Sequence, residues 1–386
     1  MRGDSVGMKR IPVASVVLGE AEKRYVMDCL DTSWISSSGK YLSDFQTRFA
    51  EFCDVRHAIG VANGTVALHA ALLACGVGPG DEVIVPTLTY IATANAVRHC
   101  GATPIFVDSE PRTLNMDPSR IAERVTSRTK GIIAVHLYGH PADMDAINAI
   151  AKSFGLFVIE DAAEAHGALY KGRKVGSLSE MATFSFYGNK IVTTGEGGMI
   201  VSNDEELTAR ARLYQGQGVD PRRRYWHLVV GYNFRMTNIQ AAIGLGQMER
   251  FDQIRESREL LAKWYRHHLA ALAGSVTLLS TEAWATPAFW MQTVLLEGVS
   301  EAERDAVILT LDQLGVEARP TFYPIHMLPP YPNEDASLYP VANEYYGRGI
   351  SLPTHTLLDE SDVRRICQAL AQALDVVTGS SLAMGL

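Results

Sequence analysis

ATFSFYGNKIVTTGEGGMI, residues 182–200, is the stretch on which the reading of this chain turns. Thr183, Phe184, Ser185 and Phe186 form a short β-type run. Tyr187-Gly188-Asn189 breaks it, and a single lysine, Lys190, follows. Two threonines and a Gly-Glu-Gly-Gly turn lead to a second apolar run at Met199. A lysine buried between apolar strands must lose its charge or find a counter-ion. An amine so placed is commonly a nucleophile working through a Schiff base. The plain alternative is a solvated lysine on a hairpin loop, and the rest of the chain decides between the two.

Upstream, the rhythm from His57 is strand, glycine turn, helix. Ala58 to Ala62 reads as a strand, and Asn63-Gly64-Thr65 opens an Ala/Leu-rich helix. Further strands are expected at Glu82 to Pro86, Thr103 to Val107, Gly131 to Val135 and Leu156 to Ile159, with helices between them. This alternation predicts an α/β chain whose mostly parallel sheet is covered on both faces. Ligands of such sheets sit beyond the carboxyl ends of the strands, where Thr65, Tyr90, His136 and Asp161 fall. Downstream come helices at Met236 to Arg250 and Asp252 to Leu272. A smaller α+β region follows, with strands at Trp290 to Leu296, Val316 to Arg319 and Ile350 to Leu352. The expected organisation is a large domain over residues 16–250 and a small C-terminal domain over 251–377. Residues 1–15 read as an irregular arm and 378–386 as a frayed tail.

With 386 residues, 47% of them hydrophobic and 20% charged, the chain can bury a large core. Its net charge of −8 argues against nucleic acid or an anionic membrane as the main partner. Any anionic ligand must therefore be held by a local site. Five scattered cysteines without CxxC spacing argue against a disulfide framework or a zinc site, and no metal is expected. There is no apolar leader and no stretch of about 18 apolar residues, so a cytoplasmic protein is expected.

Gly64 and Thr65, at a helix start just after a strand, offer free N–H groups and the positive dipole end to a phosphate. Thr65 is equally read as a plain helix cap. Asp161 ends a strand, where a carboxylate can hold a protonated heterocycle nitrogen. Tyr90 can present its ring face to a flat ligand. The Ser185 hydroxyl can join Thr65 at the phosphate. A phosphate cradle, a ring platform, an acid and a lysine together fit pyridoxal 5'-phosphate (PLP), with pyridoxamine 5'-phosphate as its aminated form.

The ordered motifs NGTVALHAAL (63–72), GDEVIVPTLTYIATANAV (80–97), HLYGHPADMD (136–145), VIEDAAEAHGA (158–168), FSFYGNKIVTTGEGGMI (184–200), GYNFRMTNIQAAIGLGQ (231–247) and RPTFYPIHMLPPY (319–331) cover nearly the whole chain. On them it resembles the DegT/DnrJ/EryC1/StrS sugar aminotransferases, which have the aspartate-aminotransferase-like fold (PLP fold type I). The resemblance implies that Lys190 is the Schiff-base lysine and that Asp161 pairs with the pyridine nitrogen. It implies Tyr90 and Glu164 beside the ring, and Gly64, Thr65 and Ser185 on the phosphate. Asn233 would reach the phosphate of a neighbouring subunit, giving a homodimer with shared sites. Most of the family has F-H-P-x-K before the lysine, whereas Tyr187-Gly188-Asn189 stands here. That departure points to the branch acting at C4 of GDP-4-keto-6-deoxymannose. The implied reaction takes the amino group of L-glutamate, releases 2-oxoglutarate and gives GDP-perosamine, an O-antigen sugar donor. A UDP- or dTDP-linked keto-sugar stays open as substrate, as does a non-catalytic regulator or scaffold. Arg222, Arg224 and Tyr225 are candidates for the substrate diphosphate and base. Trp34, Ser36, Tyr323 and His326 are further pocket candidates. Arg235 and Arg319 are candidates for the glutamate carboxylate.

Overall fold

The computed structural model describes residues 10–331 and 335–379; the expectations for residues 1–9 and 380–386 lie outside them. The main sheet has seven strands. Their order is His57–Val61, Gly198–Ser202, Met181–Ser185, Phe157–Asp161, Thr129–Val135, Glu82–Pro86 and Thr103–Val107. Of these seven, only Gly198–Ser202 runs against its neighbours, between His57–Val61 and Met181–Ser185. The other pairings are parallel. Ile132, Ile133, Ala134 and Val135 in succession are buried, because helices cover both faces of the sheet. The strands therefore read as continuous apolar runs, not as alternation.

The Gly64–Ala74 helix follows the first strand directly. Asn63 caps it, its side chain accepting from the Val66 N–H at 3.0 Å. Ala67 through Leu72 are all buried, which explains why this helix shows no polar stripe. The expected helix from Tyr90 begins at Ala92, leaving Tyr90 in the preceding turn.

A second sheet orders Val276–Leu278, Gln292–Leu296, Gly349–Leu352 and Arg319–Pro320, all antiparallel. The strand expected at Val316 to Arg319 is thus shifted. Val316 instead bridges Ile11 of the N-terminal arm, while Arg319 and Pro320 pair with Gly349–Leu352. A three-stranded patch of two-residue strands, Ala285–Thr286, Leu169–Tyr170 and Arg173–Lys174, has no counterpart in the sequence reading. Two separate apolar cores result. The Phe251–Leu269 helix feeds both: Phe251 and Ile254 enter the larger core, while Leu261, Tyr265 and Leu269 enter the smaller. All five cysteines are free, and only Cys75 is less than fully buried. Among the described residues no helix is long and apolar enough to cross a membrane.

Candidate active site

The carboxyl ends of the parallel strands gather the site. Asp161 ends Phe157–Asp161 and Ser185 ends Met181–Ser185, with Lys190 five residues further on. The Lys190 side chain is 11% exposed and Glu164's is 5%; Nζ lies 3.6 Å from Glu164 Oε1. Nζ also stands 3.7 Å above the centre of the Trp290 ring. Burial pushes the Lys190 amine below its ordinary value, while Glu164 and Asp161 pull it back up. Burial likewise pushes Glu164 up to about 7 against the pull of Lys190. A second Glu164 oxygen, Oε2, accepts the Tyr138 N–H at 2.8 Å.

Asp161 is buried. Thr93 Oγ1 donates to its Oδ2 at 2.7 Å and the Ala163 N–H to its Oδ1 at 3.3 Å. Desolvation holds its carboxyl above the ordinary range, and among the described residues it makes no ion pair. A buried carboxylate without a salt-bridge partner is suited to a cationic ring nitrogen. Asn189 Oδ1 is also buried at this site without a hydrogen-bond partner.

Gly64 packs directly on Ser185. A Cβ built on it would stand 2.8 Å from Ser185 Cβ. The Asn63 side chain takes the Val66 N–H and its carbonyl the Ala67 N–H. The N–H groups of Gly64 and Thr65 are thereby left for an anion at the helix start. The donor set therefore fits PLP. Gly64, Thr65 and Ser185 suit the phosphate, Asp161 suits the ring nitrogen, and Lys190 suits the aldehyde. Tyr90 is 58% exposed at the mouth, its ring 5.7 Å from Phe322.

The other sequence candidates make contacts of their own. His136 turns away to a buried bond with Glu160, Nε2 to Oε2 at 3.1 Å, and Glu160 in turn accepts the Gly176 and Leu178 N–H groups. His326 is buried, with Nδ1 2.6 Å from Thr87 Oγ1 and Nε2 3.1 Å from Asn343 Oδ1. Tyr323 is more open, beside Tyr346. Arg319 pairs with Glu317 at 3.0 Å. Arg235 forms a backbone bridge to Val61. Arg222 bonds Asp220, and Arg224 lies over the Tyr225 ring. Among the described residues no hydrogen bond or ion pair joins that loop to Lys190. Trp34, Ser36, Tyr225 and Asn233 are all exposed. The sequence reading missed Trp290, Tyr138 and Thr93 as site residues. Thr93 and Tyr138 lay inside quoted motifs, whereas Trp290 is exactly 100 residues from Lys190 in sequence and carried no local signal.

The chain is similar to known proteins. The chain is 53% identical over 368 residues to a GDP-perosamine synthase of Caulobacter vibrioides, covering 95% of this chain and 99% of that one. It is 48% identical to a GDP-perosamine synthase of Escherichia coli O157:H7, covering 94% and 98%. Among solved structures it resembles a sugar aminotransferase, Spr1654 from Streptococcus pneumoniae, in its PMP form. The TM-score there is 0.91 at 28% identity, over 96% of this chain and 99% of that one. It also resembles S. venezuelae DesV, with a TM-score of 0.86 at 34% identity, over 95% and 98%. The expected aminotransferase fold is thereby borne out. The model of the DegT/DnrJ/EryC1/StrS aminotransferase family matches residues 17–371, and with the buried lysine, the acid and the helix-start cradle in place, this chain belongs to that family.

Proposed function

We propose that the protein is a PLP-dependent aminotransferase that moves the amino group of L-glutamate to the C4 ketone of GDP-4-keto-6-deoxymannose, giving GDP-perosamine and 2-oxoglutarate. The observation that carries this is the buried Lys190 in contact with Glu164 and Trp290, in a chain half identical to GDP-perosamine synthases over nearly its whole length. When bound, PLP supplies an aldehyde that captures amines and a pyridinium that takes up the electron pair left on carbon.

The chain's own residues do the rest. Gly64, Thr65 and Ser185 anchor the phosphate and fix the ring's position. Asp161 keeps the ring nitrogen protonated by a charge-assisted hydrogen bond, and Thr93 holds that carboxylate in place. Lys190 Nζ, once released, takes the proton from the α-carbon of glutamate and later returns one to C4 of the sugar. An amine can act as a base only when neutral, and burial favours its neutral form. Glu164 holds the amine when it is charged. Asn233, exposed in the single chain, completes the phosphate site of a second subunit, so the working form is a homodimer. Arg222, Arg224 and Tyr225 receive the nucleotide diphosphate. The five free thiols fit a reducing cytoplasm.

The test is product mass. Purified protein with PLP and L-glutamate is given GDP-4-keto-6-deoxymannose, and separately UDP- and dTDP-linked 4-keto-6-deoxy sugars. The expected result is amination of the GDP sugar. An unchanged GDP sugar beside an aminated UDP or dTDP sugar rejects the substrate and keeps the reaction. A cofactor absorption band that glutamate leaves unmoved rejects the reaction itself.

A further inference from the structure

Lys190 contacts two groups, Glu164 and Trp290, whose supporting segments both carry backbone strain. Trp290 lies under the amine, held through its ring nitrogen and through its backbone carbonyl. Nε1 donates to the Asn189 carbonyl at 2.9 Å. Its own carbonyl and that of Phe289 accept from Nη1 of the buried Arg258, at 3.0 and 3.1 Å. Phe289 sits at φ +51°, a left-handed conformation unfavourable for a bulky side chain. Tyr138, at φ +52°, directs its N–H at Glu164. The Tyr138 ring lies nearly parallel to Trp290, at 15° and 6.5 Å, and the Ala288 N–H donates to the Gly139 carbonyl, tying the two segments together. Two strained turns thus fix the two groups that face one amine.

We propose that Trp290 is a positioning residue for Lys190. Its indole face seats the ammonium form of the free amine beside the Glu164 carboxylate, and so sets where the nitrogen waits when it is not bonded to the cofactor. The inference rests on the lysine reading above and deepens it. A cation over an aromatic face is attracted by the ring quadrupole, most strongly by Trp and more so where water is excluded. A carboxylate alone leaves a flexible lysine many directions of approach. The ring and the carboxylate acting together narrow those directions.

Losing the ring face disfavours the charged amine, so the amine should give up its proton at lower pH. The experiment uses cofactor-free protein. Lys190 is acylated across a pH series and the modified peptide quantified by mass spectrometry, in wild type, Trp290→Leu and Trp290→Phe. The titration midpoint decides, not the extent of labelling, because removing the ring also opens access. Trp290→Leu should lower the midpoint by about half a pH unit or more, and Trp290→Phe by less. In the PLP-loaded enzyme the Leu variant should lose kcat for glutamate by about tenfold, with KM changed less than about twofold.

A Leu midpoint equal to wild type overturns the proposal. So does a Phe midpoint as low as Leu's, which would assign the role to the Nε1 bond with Asn189. Should the Leu variant fail to fold by circular dichroism, Trp290→Met takes its place: a lowered midpoint supports the proposal and a midpoint equal to wild type overturns it. Failure of the functional reading is separate. It would show as a Lys190→Ala protein that still binds PLP covalently, whatever the acylation midpoints.

Discussion

Burial works against both charges of the Lys190–Glu164 pair, and that has a measurable pH signature. The native Glu164 carboxyl keeps its proton up to about 7, whereas its ordinary value is 4.5. Between those values the native state binds more protons than the unfolded chain, so this group's contribution to stability falls as the pH rises. The full span corresponds to about 3 kcal/mol. His166, buried among Phe49, Phe184 and Phe186 and pushed down to about 3, slopes the other way below its ordinary value. The variant difference isolates Glu164. In urea melts of cofactor-free protein, Glu164→Gln should gain about 1–3 kcal/mol relative to wild type between pH 5 and pH 7.5. An unchanged difference at the two pH values would falsify the assignment. At the same scale, Lys190→Ala should abolish covalent cofactor attachment, read from the absorption band. It should also cut amino transfer by about a thousandfold or more.

At the scale of elements, the turn between strand and helix sets the anion site, and its tolerances are tight. A Cβ on Gly198 would come within 2.5 Å of the Asn63 carbonyl oxygen, which is backbone and cannot swing aside. Gly198→Ala should therefore destabilise by about 1–3 kcal/mol in urea melts and weaken PLP binding, because the helix start is displaced. Asn63→Ala removes only the cap and should cost about 1 kcal/mol. These turns were legible in the sequence, because glycine, a capping Asn and an apolar run before them are local signals. Thus Thr65 and Asp161 were legible at strand ends, Gly64 at the helix start, and Ser185 in the strand that leads to Lys190. Trp290, Tyr138 and Thr93 could not be picked out, because their importance lies in what they touch. The two-residue strands at Leu169–Tyr170 and Arg173–Lys174 were equally invisible, being too short to carry a period.

For the whole molecule, the α/β alternation made the large sheet readable. It did not reveal that Gly198–Ser202 runs against its neighbours, since strand direction depends on which strands become partners. Nor did it show that the Phe251–Leu269 helix serves two cores. The exposed Asn233 gives the homodimer proposal its own test. Inactive Lys190→Ala and Asn233→Ala proteins are mixed and allowed to exchange subunits. In a mixed dimer one site carries both lesions and the other none, so about a quarter of wild-type activity should return. No recovery despite exchange would show that each subunit is self-sufficient. The hidden cysteines carry a last consequence. Burial lifts the Cys53 thiol well above its ordinary value and Cys100 and Cys367 to about 12, so little nucleophilic thiolate exists while the chain is folded. Alkylating reagents should reach these three thiols only when the molecule breathes open, and the pace of iodoacetamide uptake at Cys53, Cys100 and Cys367 becomes a built-in clock for its unfolding.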